Sequence, residues 1–400
     1  MLCEKVEVGS GRVDVADLQE ANEKTNPDLD FETLPIATGK TENGATYTHC
    51  DGMASPADIS GGYLLEMDYK ARAQEEVCYF RTSRDNYVVV KSPEYASREE
   101  MDYIATLYQE YEDAVFAGGE NPDTHKQYSE YIDAHSLACY YLINEFSKSR
   151  DCFMSSAYLT KKAGEDRFVM GPLWDYDMSF GKGTLDGSNT DDEPFGFSVT
   201  NVKMGRALFD IKEFLALLKE VYQNEFVPMI KNIVLGDGDA VSESGSLHSL
   251  EYYRQRLLQS AQCNSALWYD NGVWTEETNK LWDFVSRRSD LLLMYLDKAS
   301  SGSELPDNTY YDVLPTDWFY DTVTKASVQG IFNGDGRGYF KPNANVEHSH
   351  AAQVLLNLSG VEAVAFAPIY IDVAETDWYA AAAVWAAANG CMDGYGDGTF

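Results

Sequence analysis

The sequence predicts an α+β protein in two parts, a mainly helical body with a small β part and a following array of α-helical repeats. Residues 1–95 carry short β-like runs separated by Gly, Asn and Asp turns. Five later segments carry apolar residues at spacings of three and four, which is typical of amphipathic helices. From residue 311 onward, a pattern recurs after 60 positions, which indicates a structural repeat.

Length, composition and charge limit the class of protein. At 400 residues the chain has room for two or three domains, and 44% hydrophobic residues with 27 Tyr are enough to bury a core. The 65 acidic against 31 basic residues give a formal net charge of -34, which repels nucleic acids and anionic membranes. No apolar run of about 18 residues is present, so we expect no membrane span.

The seven cysteines are widely scattered, with no CxxC pair and no Cys/His cluster at zinc spacing, so we expect no structural zinc. We interpret most of them as small buried apolar groups, and one disulfide bridge stays open as an alternative. The N-terminal stretch lacks the features of a signal peptide, so an internal start is expected.

The predicted elements suggest where one domain ends. The β-like runs are residues 5–8, 12–15, 62–69 and 87–90. The predicted helices are residues 97–118, 127–148, 205–233, 248–264 and 275–298. The stretch between 148 and 205 is rich in Gly, Asp, Asn and Ser, which predicts a long functional loop. We expect one domain over 1–298 and a Ser-, Gly- and Pro-containing linker over 299–308.

Two groups of Asp residues in the long loop match spacings used in phosphoryl transfer. Asp151 is followed five residues later by Ser156, as in kinase catalytic loops, where the Asp receives the substrate hydroxyl's proton and a second polar side chain completes the metal shell. Asp175 and Asp177 end a strand-like run and are similar to the kinase device that holds Mg²⁺ against ATP phosphates. Two carboxylates on one turn repel each other unless a divalent cation relieves the repulsion.

The same residues also fit purely structural roles. Asp151 fits a helix N-cap or a turn equally well, because an Asp with a hydroxyl five residues later is common by chance. Asp177 is interpreted first as a turn or capping residue after Trp174. Asp175 is therefore the better ligand candidate.

Six runs follow the order found in the CotH (spore coat protein H) kinase family, which the sequence therefore resembles. They are GGYLLEMDYK, VVVKSPEY, YIDAHSLACYYLINEFSKSRD, SSAYLTKKAGEDRFVMGPLWDYDMSFG, RALFDIKEFLALLKEVYQNEF and LWDFVSRRSDLLLMYL. The Trp-Asp-aromatic-Asp block at 174–177 is the most specific piece. The resemblance implies an atypical protein-kinase fold over 1–298 that uses ATP and Mg²⁺, or Mn²⁺, to phosphorylate Ser of secreted or surface proteins.

Carried over residue by residue, the resemblance implies that Asp151 is catalytic and that Asp175 is the principal metal and cofactor ligand. Ser156 and Asp177 would support the metal and cofactor site. The pair Asn144-Glu145 also matches the family, but we expect it to cap or pair inside a packed helix.

The sequence departs from the family pattern at its N-terminal end. The chain opens inside the strand that, in the family, follows an N-terminal lobe with a phosphate-binding Lys, so we expect a truncated domain that binds ATP poorly. Lys70, Lys161 and Lys162 lie at non-matching positions and are expected to be solvated surface residues.

The C-terminal repeat is similar to the S-layer homology (SLH) module, with an Asp-Val opening, a Trp-aromatic helix start and a glycine-rich turn. Its matched segments are 311–313 with 371–373, 317–319 with 377–379, and 330–340 with 390–400. We expect repeat 1 over 309–365 and a truncated repeat 2 over 366–400. Each would be a Trp-anchored helix, a turn and a second helix, residues 349–358 in repeat 1.

The SLH resemblance implies binding to secondary cell-wall polysaccharide, and so an extracellular place at the cell wall or S-layer. Trp318, His348 and Trp378 are the candidate wall-binding residues. His348 stands where the family carries an Arg, so a positive charge that would meet an anionic sugar is lost at neutral pH.

Three functions fit these patterns. The first is a wall-anchored CotH-like kinase acting on secreted or surface proteins. The second is a catalytically inactive pseudokinase that recruits basic surface proteins. The third is a structural spore-coat or envelope component with no ligand. None of the three has a nucleic acid partner.

Overall fold

The computed structural model describes residues 5–149, 151–177, 179–181, 194, 196–268, 274–302, 310, 312–313, 317–334, 339–361 and 364–400. The chain divides into two compact units, Met1–Ser303 and Glu304–Phe400. The first unit combines helices with an antiparallel sheet and the second is helical, so the α+β prediction is confirmed. The division falls inside the predicted linker, and the limits of the individual domains and repeats stay predictions.

A seven-stranded antiparallel sheet, with the strand order β1-β2-β4-β5-β3-β6-β7, is the β part of the first unit. The strands are β1 Ile36–Lys40, β2 Thr46–Cys50, β3 Tyr63–Asp68, β4 Tyr79–Arg81, β5 Tyr87–Ser92, β6 Ala157–Lys161 and β7 Phe168–Met170. The predicted runs at 62–69 and 87–90 are β3 and β5, whereas the runs at 5–8 and 12–15 contribute one isolated bridge between Val8 and Val13.

Strand β6 lies inside the stretch that we interpreted as a long loop, and that interpretation is wrong for residues 157–161, whereas β7 begins the strand-like run that we predicted before Asp175. Every residue of β6 is buried, so it lacks the alternation of apolar and polar residues that marks a half-exposed strand. Because β6 lies between β3 and the edge strand β7, the segment carrying Asp151 and Ser156 leads directly into the sheet beside β3.

The helices of the first unit pack on this sheet or on one another. They are α1 Leu18–Thr25, α2 Lys70–Ala73, α3 Arg98–Phe116, α4 Tyr128–Tyr131, α5 Ala134–Ser147, α6 Lys203–Phe209, α7 Lys212–Val221, α8 Val227–Met229, α9 Leu250–Trp268 and α10 Trp274–Ser301. Helices α2, α3 and α5 pack on the sheet, whereas α9 and α10 pack on each other. Two π-helical turns, Tyr222–Phe226 and Ile230–Val234, flank α8. No helix among the described residues is both long enough and apolar enough to cross a membrane.

The predicted helix at 127–148 is interrupted. Ile132 adopts an extended backbone and bridges to Phe168, the first residue of β7. Asp133 then begins α5, because its carboxylate accepts a hydrogen bond from the Ser136 amide at 2.8 Å. Capping and pairing with the sheet thus override the continuous helical periodicity.

The predicted helix at 205–233 is also divided, into α6, α7, α8 and the two π-helical turns. Pro228, in α8, has no amide hydrogen to donate to the helical ladder, and the regular α-helix ends before it, at Val221.

The side chains of strand β3 lie alternately on the two faces of the sheet. Its residues Tyr63, Leu65 and Met67 belong to the large core that the sheet shares with the helices. The alternate residue Leu64 belongs to a small cluster with Tyr158, against which Trp174 packs. Because successive strand residues point to opposite faces, Glu66 and Asp68 share the Leu64 face.

The second unit contains α11 Tyr320–Val328, α12 His348–Ser359 and α13 Ala380–Ala388. Its two copies make equivalent contacts. The Asp312 carboxylate accepts from the Phe340 amide at 2.7 Å, and the Asp372 carboxylate accepts from the Phe400 amide at 3.0 Å. The Asp of each Asp-Val opening therefore fastens the end of its own glycine-rich turn. Residues 335–338 of the first turn lie outside the described residues.

The described cysteines all carry free thiols. They are Cys50, Cys78, Cys139, Cys152, Cys263 and Cys391. Three of the six, Cys50, Cys78 and Cys152, are buried, as expected for small apolar groups. Cys3 lies outside the described part of the chain.

Candidate functional site

The predicted catalytic segment begins where α5 ends. Lys148 follows Ser147 with a left-handed backbone, φ 54°, which terminates the helix. Asp151 then opens a tight turn, in which its carbonyl accepts from the amides of Met154 at 2.9 Å and Ser155 at 3.0 Å. The backbone of Asp151 has the turn role that the sequence allowed. Arg150 lies outside the described residues.

Asp151, Asp175 and Asp177 form an acidic cluster. Burial raises the pKa of Asp175, and the charge and hydrogen bond of Asp177 and the charge of Asp151 raise it further. Ser156 Oγ donates to Asp175 Oδ2 at 3.5 Å, which opposes this rise. The fold thus brings together the four residues that the sequence proposed for catalysis and metal binding, while their chemical roles stay predictions.

No ion pair among the described residues neutralises the acidic cluster, and Arg150 and Lys182 lie outside those residues. Within the described ranges, no Lys or Arg forms an ion pair with Asp151, Asp175 or Asp177. Like charges that are close together and unpaired are costly, and a bound divalent cation is the ordinary way to relieve them.

The backbone is strained at two of these residues. Ser156 has φ 54° and Asp175 has φ 64°, both in the left-handed region that non-glycine residues seldom occupy. Residues with such dihedrals persist where the surrounding structure holds them, and they concentrate at functional sites. This observation is independent of the charges and points to the same two side chains.

Tyr176 anchors the segment between the two carboxylates. Burial raises the pKa of Tyr176, and a hydrogen bond with the Asn144 side chain on α5 opposes the rise. Nearby, the Phe180 amide donates to the Ser147 carbonyl at 2.7 Å. Tyr176 therefore ties the Asp-Tyr-Asp block to α5, while Asp175 and Asp177 are exposed. Asn144 has the internal role expected of it.

We expect Tyr176→Phe to destabilise the first unit by about 0.5–1.5 kcal/mol, because the buried Asn144 side chain, 2% exposed, loses one partner. Thermal unfolding measures the loss, and Tyr253→Phe on α9, a Tyr that is 38% exposed, is the matched control. An unchanged melting temperature for Tyr176→Phe would show that Tyr176 does not anchor the block.

Glu145 forms a buried ion pair on the other side of α5. Arg288 Nη2, on α10, donates to Glu145 Oε1 at 2.6 Å, and the two side chains are 0% and 1% exposed. The same carboxylate accepts from the amides of Ser198 at 2.8 Å and Val199 at 2.9 Å. Glu145 thus pairs inside the packed helix, as expected.

Arg288 extends this contact to the backbone that follows residues 182–193, which lie outside the described residues. Its Nη1 donates to the carbonyls of Pro194 at 3.0 Å and Gly196 at 2.7 Å. One buried guanidinium therefore joins α5, α10 and the return of the chain from the segment after Asp177.

Sequence reasoning missed the contribution of β3 to the acidic cluster. Tyr69 Oη donates to Asp151 Oδ1 at 3.3 Å, and burial, followed by the charge of Asp151, raises the pKa of Tyr69. Ser155 Oγ donates to Asp68 Oδ1 at 2.8 Å. The segment that begins with Asp151 is therefore positioned by the end of β3.

Positive charge on this face of the sheet also went unnoticed. Lys91, on β5, lies 2.6 Å from Glu76 and 3.8 Å from Glu66 on β3. The available signal was the two-residue spacing of Glu66 and Asp68 in the predicted strand 62–69, which puts two acids on one face. The basic partners of these acids, Lys91 on β5 and Arg72 on α2, could not be assigned without the strand pairing.

Lys161 is not the solvated surface residue that we expected. It is 1% exposed on β6, and its ammonium donates to the carbonyls of Ser60 at 2.7 Å, Lys162 at 3.2 Å and Glu165. The partners of a buried ammonium must lie close, and three backbone carbonyls supply them here. Lys161 is therefore engaged inside the fold.

The predicted wall-binding residues behave in two ways. Trp318 is 92% exposed and Trp378 is 59% exposed, so the expectation of a Trp-anchored helix is wrong. The helices pack instead through smaller buried residues such as Val323 and Ala383. His348 Nδ1 lies 3.2 Å from the Phe400 carbonyl. His348 therefore contacts the end of the second copy inside the unit.

Comparison with known proteins assigns the family. The model of the family described as CotH kinase protein matches residues 51–292, more than half of the chain. The model of the S-layer homology domain matches residues 309–352 and 370–400. The chain belongs to the CotH kinase protein family and carries an S-layer homology domain, which confirms the resemblance seen in the sequence and implies association with the cell surface. No curated protein matches the chain.

Proposed function

We propose that this protein is a surface-anchored protein kinase that transfers the γ-phosphate of ATP to Ser of a secreted or surface protein. The observation that supports it best is the acidic cluster, in which Asp151, Asp175 and Asp177 lie beside Ser156 and form no ion pair with a Lys or Arg of the described residues. Its place at the end of α5 and beside strands β3 and β6 makes the cluster a rigid base for chemistry that consists of positioning and charge neutralisation.

The donors suit Mg²⁺, or Mn²⁺ in its place. Mg²⁺ takes oxygen ligands, with one or two carboxylates from the protein and the rest from water and phosphate. Asp175 and Asp177 would hold the ion with support from Ser156, and the pKa of Asp175 is raised first by burial and then by the negative charges of Asp177 and Asp151. When bound, the ion neutralises charge on the transferring phosphoryl group.

The protein's own groups divide the remaining work. Asp151 would accept the proton of the substrate Ser hydroxyl, and Tyr69, which donates to Asp151, would orient that carboxylate. Lys91 and Arg72, both near carboxylates on the Asp68 face, would offset phosphate charge. The net charge of -34 favours substrate segments that are neutral or basic.

The direct test is transfer of labelled γ-phosphate from ATP to a Ser peptide with flanking Lys residues by the full-length protein. We expect phosphoserine that requires a divalent cation. Absence of transfer, together with no change of melting temperature on adding ATP and Mg²⁺, would contradict the proposal and favour the purely structural alternative.

A non-catalytic scaffold is the second candidate, and the engagement of Lys161 by three carbonyls favours it, because this Lys is then not available to phosphate. On that alternative, ATP and Mg²⁺ raise the melting temperature while no phosphoserine forms. The two measurements together separate a kinase, a pseudokinase and a structural protein.

For the second unit we propose binding to secondary cell-wall polysaccharide through Trp318 and Trp378. We expect Trp318→Ala with Trp378→Ala to weaken co-sedimentation with purified cell walls by at least about 30-fold, because loss of even one exposed anchor Trp costs on the order of 2 kcal/mol. Val328→Ala, at an apolar residue of α11 that is 64% exposed, is the control. Unchanged sedimentation of the double variant would exclude the two indoles from wall binding.

A further inference from the structure

A second group of metal-ligating side chains lies apart from the acidic cluster. His135 and Cys139 are on α5, and Glu225 is in the π-helical turn that follows α7. One ligand atom from each lies within 4.8 Å of the other two. His135 Nε2 is 2.9 Å from Glu225 Oε1 and 3.9 Å from Cys139 Sγ.

We propose that His135, Cys139 and Glu225 form a binding site for a zinc-class divalent cation. An imidazole, a thiolate and a carboxylate are the ligands that Zn²⁺ takes in proteins, whereas Mg²⁺ and Ca²⁺ prefer oxygen alone. Tetrahedral Zn²⁺ with bonds of about 2.0–2.3 Å places its ligand atoms roughly 3.3–3.8 Å apart. The separations of 2.9 and 3.9 Å lie on either side of this range.

The local backbone explains why the three side chains meet. Residues four apart on a helix lie on one face, so His135 and Cys139 are neighbours along α5. Packing of α5 against α7, through contacts such as the Tyr141 and Phe214 rings with centroids 5.7 Å apart, fixes the two segments. Single-turn π segments recur at functional sites, and the one here carries Glu225 to the α5 surface.

Charge and exposure also suit a cation. The carboxylates of Glu225 and Asp133 place negative charge near the Cys139 thiol, which suits a bound cation. The His135 and Glu225 side chains are 55% and 49% exposed, which gives a cation and water access to them. Three protein ligands with one position left to water is the arrangement of an open zinc site. A bound ion would fasten α5 to the turn after α7.

The test uses the full-length protein, reduced and freed of metal, titrated with Co²⁺ as a spectroscopic probe for Zn²⁺. We expect one equivalent to produce a thiolate-to-cobalt charge-transfer absorption that Zn²⁺ abolishes by displacement and excess Mg²⁺ does not. Cys139→Ser should remove the absorption, and His135→Ala and Glu225→Gln should each weaken Zn²⁺ binding by at least about 10-fold.

Two control variants make the result specific. Cys263→Ser removes an exposed thiol on α9 and should leave the absorption intact. Asp175→Asn alters the acidic cluster and should also leave it intact, so the outcome is independent of the proposed kinase activity. The proposal is overturned if Co²⁺ gives no thiolate absorption, or if the absorption survives Cys139→Ser.

Discussion

Asp151→Asn is expected to lower kcat for phosphoserine formation by about 10²–10⁴-fold, the usual contribution of a positioned general base. An amide of the same shape keeps the turn made by the Asp151 backbone, so the melting temperature should stay close to that of the wild type. Steady-state transfer to the Lys-flanked Ser peptide measures the loss. Asp283→Asn on α10, where the carboxylate is 67% exposed, is the matched control, and should keep full activity.

Equal rates for Asp151→Asn and the wild type would remove Asp151 from the mechanism. The sequence had left a turn role and a catalytic role open for this residue, and the structure shows that the two are compatible. The backbone carbonyl makes the turn, while the carboxylate accepts a hydrogen bond from Tyr69 and acts on the pKa of Asp175.

Asp175→Asn separates metal binding from folding and has a defined pH signature. Because the pKa of Asp175 is raised in the folded state, the folded protein holds this proton more tightly than the unfolded chain, and its contribution to stability falls as pH rises from the unfolded to the folded pKa. In the absence of metal, the stability of Asp175→Asn should therefore decline less steeply with rising pH than that of the wild type. The variant should also lose Mg²⁺-dependent phosphate transfer. A steeper decline in the variant would contradict the repulsion inferred for the acidic cluster.

Arg288→Ala is expected to destabilise the protein by about 3–5 kcal/mol, because it leaves the Glu145 carboxylate buried without its cation. The neighbouring Arg287→Ala removes a guanidinium with an exposed partner, Asp283 at 3.6 Å, and should cost about 1 kcal/mol or less. Denaturant unfolding of the two variants measures the difference. Similar stabilities for Arg287→Ala and Arg288→Ala would show that the buried pair does not hold α5 to α10.

A double variant tests the origin of that loss. Replacing the pair with apolar residues, as in Arg288→Met with Glu145→Leu, removes both charges and should recover part of the stability lost in Arg288→Ala. If the double variant is no more stable than Arg288→Ala, the loss comes from the contacts of Arg288 with the Pro194 and Gly196 carbonyls and not from an unpaired Glu145 charge.

The helices were predictable where one amphipathic face dominates and no competing contact intervenes. Helices α3, α9 and α10 follow the spacing of apolar residues in their segments. The helix predicted at 127–148 failed at Ile132, because its pairing with Phe168 is set by residues distant in the sequence. Strand β6 escaped prediction because both of its faces are buried, which removes the alternation that identifies a strand.

The sequence predicted the acidic residues of the candidate site but not the residues that position them. Motif spacing identified Asp151, Ser156 and Asp175, which the fold brings together. Asp68 ends β3 and Tyr69 follows it, both more than 80 positions before Asp151, and only the pairing of β3 with β6 relates them to the site.

The three residues of the proposed zinc-class site could not be grouped from the sequence for the same reason. His135 and Cys139 are four residues apart, while Glu225 arrives through the packing of the turn after α7 on α5. Sequence spacing alone excluded zinc because it found no complete set of ligands within one local motif. Tertiary packing supplies the third ligand.

The claim that Asp151 and Asp175 face one divalent cation is tested most directly by anomalous diffraction from crystals grown with Mn²⁺ and a non-hydrolysable ATP analogue. The account predicts a manganese peak bonded to the Asp175 carboxylate, beside Asp177 and Ser156, with the terminal phosphate of the nucleotide directed toward Asp151. The account would be contradicted by a nucleotide and a manganese peak that lie away from Asp175. It would also be contradicted if the Asp151 and Asp175 side chains pointed to separate sites in the complex.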